Sequence, residues 1–378
     1  MLVVMAGAGS AFQYGIMSNV EGMATNSCFF YASRTSVPYK GFKKGRQWDL
    51  KYEDYTLAKQ KVPDILYSSP IVDIYGVKVV KGEKTGSYRM MGCFPEYRFI
   101  EANKLIQGRY INEIDIQQKR KVCIIGNRVY EEMFGRGRNA LGEKIQVNGV
   151  SFQIIGVWGQ SNGMFMDPNE VIMTPLPTMQ QIFGMGNTIH WILATAKPNI
   201  KASEIQKQIS DLVKQRNHIA PEDEIGFSSF NIEEMFNMWK NLFLGISALV
   251  WIVGLGTLLA GGIGISNIML VTVRERTKEI GIRRALGATP RNIIIQIMSE
   301  SIVLTLIAGV AGLMLGVGIL QLVGTALENS DGFFKNPQIS FGISIAALFI
   351  LLIIGTIAGY MPARRAMKIK PIEAIHEE

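Results

Sequence analysis

Histidine and cysteine are scarce, with three of each in 378 residues. His190 and His218 stand at no metal-ligand spacing, so a metal centre has no visible donor set. Cys28, Cys93 and Cys123 are an odd number and all precede the first long apolar run. They leave one disulfide open and exclude a disulfide framework, and three free or buried thiols is the simpler expectation. Gly-x-Ser-x-Gly and His-Glu-x-x-His are both missing, which disfavours a membrane-anchored hydrolase. Gly-x-x-x-x-Gly-Lys-Ser/Thr is missing too, so no P-loop is expected in these residues. Up to Lys240 the chain has 28 Lys and Arg against 23 Asp and Glu, a net of about +5. With no basic helix, zinc spacing or aromatic RNA-binding motif, nucleic acid is not an expected partner.

Charge itself is missing from three long runs. None occurs between Lys240 and Arg274, only Glu300 interrupts Ile293–Leu327, and Ile339–Met361 has none. A helix needs roughly 20 apolar residues to cross the hydrocarbon core, so each run is long enough. The sequence is therefore expected to encode an integral membrane protein. The runs hold no paired acids, histidine chains or interrupted half-helices, which leaves an ion-coupled pathway without a site. Glu300, near the start of its run, is expected to have a structural role at the membrane interface. Small residues recur four apart, as Gly256/Ala260/Gly264, Gly312/Gly316 and Gly355/Gly359. Such pairs allow helix backbones to approach closely, and Gly312, Gly316, Gly355 and Gly359 are the expected packing positions.

Lys and Arg in short loops mark the cytoplasmic side. Val273–Arg291 holds six Lys/Arg against two Glu, and Arg364, Arg365, Lys368 and Lys370 follow Pro362. Glu328–Lys335, by contrast, has two acids and one Lys. The first two segments are expected inside and the third outside, which puts the domain before Lys240 outside as well. Met1–Met17 is apolar but short for a span and lacks a basic flank. The natural frame is therefore expected to extend upstream, with residue 1 falling inside a first transmembrane helix.

In the first 240 residues, Ser18–Gln47 reads as irregular, with a turn at Pro38–Gly41. Tyr52–Val62 reads as a helix stopped by Pro63, and Ile71–Val80 as a strand. Val122–Ile125 reads as a buried strand, followed by a helix over Arg128–Phe134 capped by Asn127 and ended by Gly135. Asn148-Gly149 between two β-rich runs is the preferred two-residue hairpin turn. Gln160–Asn187, with five methionines, reads as an inserted small subdomain or long loop whose Met side chains fill an irregular core. His190–Ala196, Ser203–Arg216 and Glu224–Asn231 read as a β-α-β unit. From Ile232 a helical pattern continues into the first span as a lever. The expected fold is an α+β membrane protein: a mixed α/β, two-lobed outer domain followed by a three-helix transmembrane bundle, or four helices counting the N-terminal one.

The basic stretch between the first two spans has the sharpest pattern. Glu279 precedes Arg283 by four, the favourable helical order. Gly287 suits a helix end, Thr289 an N-cap and Pro290 the first position of the next helix. A short helix with a charged face and an apolar side made of Ile280, Ile282 and Leu286 is expected.

The run Val-x-Glu-Arg-Thr-x-Glu-Ile-Gly-Ile-Arg-Arg-Ala-Leu-Gly-Ala-Thr-Pro, Val273–Pro290, closely resembles the signature of the FtsX/MacB-type ABC transporter permeases. Gly108-Arg109, Val122–Gly126 and Leu141–Ile145 are similar to the MacB-type periplasmic core domain. Pro362–Ala366 and Pro371–Ile375 are similar to the family's C-terminal end. The resemblance covers nearly the whole chain and departs in a short first helix and in the lack of a preceding nucleotide-binding domain. It implies a remnant first transmembrane helix at 1–17 and a periplasmic core domain at 18–231, with an insert near 160–187. A stalk and span at 232–271 and a coupling helix at 272–290 would follow. Spans at 291–327 and 339–361, a periplasmic loop at 328–338 and a cytoplasmic tail at 362–378 complete the layout.

The resemblance also implies an ATPase-docking surface at Arg274, Glu275, Arg276, Glu279, Ile280, Gly281, Arg283, Arg284, Leu286 and Gly287, with no catalytic residue. ATP and Mg would be bound by a separate ABC ATPase subunit, with no cofactor in this chain. A second permease copy or paralogue would pair with this one in the bacterial inner membrane, and a periplasmic adaptor and outer-membrane channel would serve an efflux role. ATP-driven motion would pass outward through the lever without substrate crossing between the helices. Lipoprotein release of the LolC/LolE kind and FtsX-like control of cell-wall hydrolases are the alternatives in the same family.

Overall fold

The computed structural model describes residues 1–18, 24–101, 104–159, 167–327 and 341–367. It divides into two compact units, residues 18–239 and residues 1–17 with 240–378. Met164 and Met166, the 328–338 loop, and Lys368, Lys370 and Pro371–Ile375 lie outside the described residues.

In the chain order of the first unit, β1 is Ser27–Ala32, α1 Tyr52–Lys61, β2 Ile65–Lys81, β3 Lys84–Cys93, α2 Tyr97–Ile100 and β4 Leu105–Gly108. Then come α3 Glu113–Gln117, β5 Val122–Ile125, α4 Asn127–Phe134, β6 Lys144–Val147, β7 Val150–Trp158 and β8 Val171–Pro175. Last are α5 Leu176–Phe183, β9 Trp191–Ala196, α6 Ala202–Arg216 and β10 Phe227–Asn231. Among the described residues these strands make one 10-stranded sheet in the order β10-β1-β9-β2-β3-β8-β5-β7-β4, with β6 joining β2 to β7. Strand β2 is 17 residues long. Ile65–Ile71 pairs with β9 and Val72–Lys81 with β3, whose register shifts between Ile74 and Val77, while Val79 and Val80 also pair with β6.

Successive strand residues point to opposite faces, and the two cores follow that alternation. Cys28, Phe30, Val72, Met90, Cys123, Ile125, Ile172 and Ile192 enter one apolar layer. Their neighbours Phe29, Ile71, Met91, Ile124, Val171, Met173 and Leu193 enter the other. A sheet covered on both faces loses the polar alternation that marks a half-exposed strand. Two expectations fail for this reason. Ser18–Gln47 is not irregular throughout, because Ser27–Ala32 is a strand inside the sheet, flanked by β9 and β10. The described part of Gln160–Asn187 is not an inserted subdomain. Val171–Pro175 is buried at every position and lies between β3 and β5, and Met173 and Met179 belong to the main cores.

The expected β-α-β unit is present but split. Both β9 and β10 pair antiparallel with β1, which lies between them. Asn148 (φ 47) and Gly149 (φ 83) both have positive φ at the tip of the β6–β7 hairpin, as the Asn-Gly pair requires. The helix after β5 begins at Asn127 itself, one residue earlier than expected, with Gly126 as its cap.

Gly108-Arg109 fixes the turn after β4. Gly108 has φ +85, and a Cβ there would lie 2.1 Å from the Ile155 carbonyl oxygen and 2.7 Å from Gly156 Cα. Arg109 donates from Nη1 and Nη2 to the two oxygens of the fully buried Asp115 carboxylate, at 2.6 and 3.1 Å. Asp115 also accepts from the Asn112 backbone N–H, closing a capping box on α3. Burial alone would push the Asp115 carboxyl up, but the bidentate Arg109 and the Asn112 N–H outweigh it and hold the carboxyl low.

All three cysteines are free and buried. Burial, with Glu234 and Glu233 adding to it, pushes the Cys28 thiol up to about 12, and burial raises Cys93 and Cys123 as well. Thiolate is the reactive form. The folded protein is therefore expected to take up no maleimide at neutral pH and three equivalents after denaturation. Rapid labelling of the native protein would contradict this burial.

In the second unit, α7 is Leu2–Ser18, an apolar helix shorter than a span. Helix α8 (Ile232–Glu275) starts in the first unit, where Ile232 is fully buried, and α9 is Thr277–Ala285. Helices α10 (Pro290–Leu327) and α11 (Phe341–Ala366) follow. Among the described residues α8, α10 and α11 are long and apolar enough to cross a membrane. Helix α11 runs five residues beyond the expected end of the span at Met361. Pro362 lies inside the helix instead of starting a tail, and Ala363 and Ala366 are packed in an apolar cluster.

Candidate functional site

The break between α8 and α9 falls at Arg276, whose backbone (φ −97, ψ 16) leaves the helical region. Just beyond it, Thr277 Oγ1 donates to the carbonyls of Arg274 at 2.7 Å and Val273 at 3.2 Å. At the other end, Ala288 N–H bonds the Arg283 carbonyl at 3.0 Å and Gly287 N–H the Arg284 carbonyl at 3.1 Å. That pair of bonds is the Schellman motif, and it places Gly287 at the left-handed position, φ +97. Pro290 then opens α10, where its missing N–H costs no helical bond.

The inward side of α9 rests on an apolar cluster drawn from three long helices. Ile280 packs against a cluster formed by Met269 and Val273 of α8, Ile293 and Ile297 of α10, and Ala363 and Ala366 of α11. Gly281 is buried beside it. Polar contacts ring this floor. Arg283 donates to Glu279 Oε1 at 2.6 Å and to Gln296 Oε1 of α10 at 2.8 Å. Gln296 donates to Glu300 at 3.5 Å, and Arg276 Nη1 lies 3.4 Å from both Glu300 oxygens. Arg284 donates to the Met367 carbonyl, just past the end of α11, at 2.8 Å. Between α8, α9 and α10 a small open cleft remains, lined by Arg276, Glu279, Arg283, Gln296 and Glu300 and by Met269, Val273 and Ile293.

The outward side carries the residues that this packing leaves over. Arg274, Glu275 and Lys278 are exposed. Ile282 and Leu286 are 51% and 83% exposed, four residues apart on one face. The expectation that Ile280, Ile282 and Leu286 share an apolar side is corrected here. Only Ile280 turns inward, because the two residues from 280 to 282 rotate the side chain by about 200° to the opposite side, and 286 follows 282. Sequence spacing does not mark Gln296, Glu300 and the Met367 carbonyl as supports, since they lie 13, 24 and 83 positions from their α9-side partners.

The four expected packing glycines separate. Cβ atoms at Gly355 and Gly359 would meet Thr305 and Ser301 of α10 at 2.5–2.6 Å, and one at Gly316 would meet Val3 of α7 at 3.2 Å. Gly312 differs from the expectation, with nothing within 4 Å of its Cβ position, as do Gly256 and Gly264. Gly254 against Leu2, Gly262 against Ile354 and Gly309 against Leu348 are the close approaches that the four-residue spacing failed to mark.

Two family models match the chain. The MacB-like periplasmic core domain matches residues 1–212, and the FtsX-like permease C-terminal domain matches 251–371. The macrolide export ATP-binding/permease protein MacB of Bdellovibrio bacteriovorus is 30% identical over 381 residues, spanning 100% of this chain and 57% of that protein. The pyoverdine export ATP-binding/permease protein PvdT of Pseudomonas entomophila is 28% identical over 381 residues, 100% of this chain and 55% of that protein. The chain thus spans about half the length of the curated relatives it matches. Among solved structures, the periplasmic region of MacB from Actinobacillus actinomycetemcomitans aligns with 60% of this chain and 98% of its own, at TM-score 0.48 and 22% identity.

Proposed function

The chain belongs to the MacB/FtsX family of ABC transporter permeases, and from that membership we propose that α9 is the helix on which an ABC ATPase docks. The observation that carries this reading is the two-sided character of α9. One side is fixed to α8, α10 and α11, while Ile282 and Leu286 project outward among charged residues. An exposed apolar pair rimmed by charge is the form of a protein-binding hot spot. The docking surface comprises Arg274, Glu275, Ile282 and Leu286 directly, with Arg276, Glu279, Ile280, Gly281, Arg283, Arg284 and Gly287 holding its shape.

In this reading α9 and the end of α11 face the cytoplasm, in keeping with their Arg residues, and the residue 18–239 domain is periplasmic. ATP, with Mg, is bound and hydrolysed by the ABC ATPase that docks on α9. Closure of an ATPase pair pushes α9, and the unbroken Ile232–Glu275 helix carries the displacement to the sheet domain. Two permease copies, or this chain and a paralogue, form the working unit. The relatives are named for macrolide and pyoverdine export, which supports an export role; a periplasmic substrate, an adaptor and an outer-membrane channel complete the proposal.

Affinity capture of the native protein from its own membranes, with mass spectrometry of what accompanies it, tests the assignment. An ABC ATPase is expected in stoichiometric amounts, with a periplasmic adaptor for efflux. A lipoprotein carrier instead of the adaptor would redirect the reading to lipoprotein release, and recovery of no ATPase would remove it.

A further inference from the structure

Glu300 is the one charged side chain within the apolar run of α10, and docking on α9 does not by itself give it a role. An ionised side chain at membrane depth is costly unless paired, so its partners bear on what it does. Glu300 is half-buried, and Arg276 Nη1 lies 3.4 Å from each of its oxygens. Gln296, one turn earlier, donates to Glu300 and accepts from Arg283, which also holds Glu279. The chain Arg276–Glu300–Gln296–Arg283–Glu279 therefore starts at the α8/α9 break, crosses to α10 and returns to α9.

This arrangement ties α9 to α10 at both ends. Arg276 is the residue where the backbone leaves α8, and Arg283 is in the last turn of α9. The apolar floor beneath, Ile280 on Val273, Ile293 and Ile297, is non-directional and would let α9 slide. Directional contacts at two points prevent sliding, so α9 and α10 must move together. An isolated exposed pair at 3.4 Å contributes little to stability, and this one is half-exposed. Its value lies in geometry and in membership of a network. Only a carboxylate at 300 can accept from Arg276 and Gln296 at once with charge opposite to the arginine.

We infer that Glu300, with Gln296, is a positioning latch that passes motion of α9 to α10, so that the second long helix moves with the docked ATPase. The inference rests on the docking reading of α9. It predicts uncoupling: breaking the latch leaves ATPase docking in place while the force no longer reaches α10.

The test uses the complete transporter with its ATPase, reconstituted in liposomes, with a spin-label pair reporting ATP-driven displacement of α10 against α8. Glu300→Ala and Gln296→Ala are expected to keep ATPase capture and hydrolysis within about twofold of wild type. Each is expected to lose most of the α10 displacement, about tenfold for Glu300→Ala. The exchange Arg276→Glu with Glu300→Arg is expected to restore at least half of the displacement that Glu300→Arg alone removes, which a merely structural loss would not allow. Undiminished displacement in Glu300→Ala with normal capture would overturn the latch alone, as would failure of the charge exchange to rescue in a double variant that still captures the ATPase. A wild type that captures no ATPase would instead overturn the docking reading beneath it.

Discussion

Replacing Ile282 and Leu286 together by Asp is expected to reduce recovery of the ATPase with this chain by about 100-fold or more. Buried apolar anchors at protein interfaces typically cost 2 kcal/mol or more when truncated, and about 1.4 kcal/mol is a factor of ten. Two such anchors, each replaced by a carboxylate that the interface would have to desolvate, reach that loss even if they are not additive. Neither side chain contributes to the apolar cluster under α9, so the fold should survive. Silence of the three buried cysteines toward maleimide checks the 18–239 domain of the variant, and an unchanged helical circular-dichroism melt in detergent checks the helices around α9. Retention of the ATPase by the double variant, with its cysteines still protected, would remove α9 as the docking surface.

The second large effect is on stability. Gly108→Ala is expected to destabilise the 18–239 domain by about 3 kcal/mol. Its left-handed backbone costs an L-residue about 1–2 kcal/mol. Forcing a Cβ toward the Ile155 carbonyl and Gly156 adds about 1–3 more, because backbone, not a flexible side chain, must yield. In a domain of this size that corresponds to a Tm lower by roughly 6–12 °C. The melt can be followed in the full chain by maleimide uptake at the buried cysteines. Gly149→Ala is the control, since Gly149 has φ +83 but open space around it. It should cost only the backbone strain, so a Gly108→Ala melt equal to that of Gly149→Ala would mean that the close approach to β7 carries no weight.

The sequence disclosed features that depend on neighbours along the chain. Asn148-Gly149, the strand at Val122–Ile125, the helix ending at Arg216 and the apolar runs were legible because turn chemistry and periodicity act locally. The Val273–Pro290 stretch was legible in the same way: Gly287 and Pro290 mark a stop and a start that the structure shows in its hydrogen bonds. Strands β1 and β8 were not legible, because burial on both faces erases the alternation that announces a strand, and Pro and Met around β8 resemble loop composition. Which way Ile282 pointed depended on where α10 and α11 pack, and the supports from Gln296, Glu300 and Met367 come from other helices. Gly312 and Gly316 share one motif, but only Gly316 meets a partner, because helix contact is set by rotation as well as spacing.

The most direct test of the central assignment is a photo-crosslinker placed at position 286 in the native transporter, with the same group at Tyr75, 69% exposed in the sheet domain, as the comparison. The account predicts an adduct with the ABC ATPase from position 286 and none from position 75. No ATPase adduct from 286, or equal yields from both positions, would contradict it.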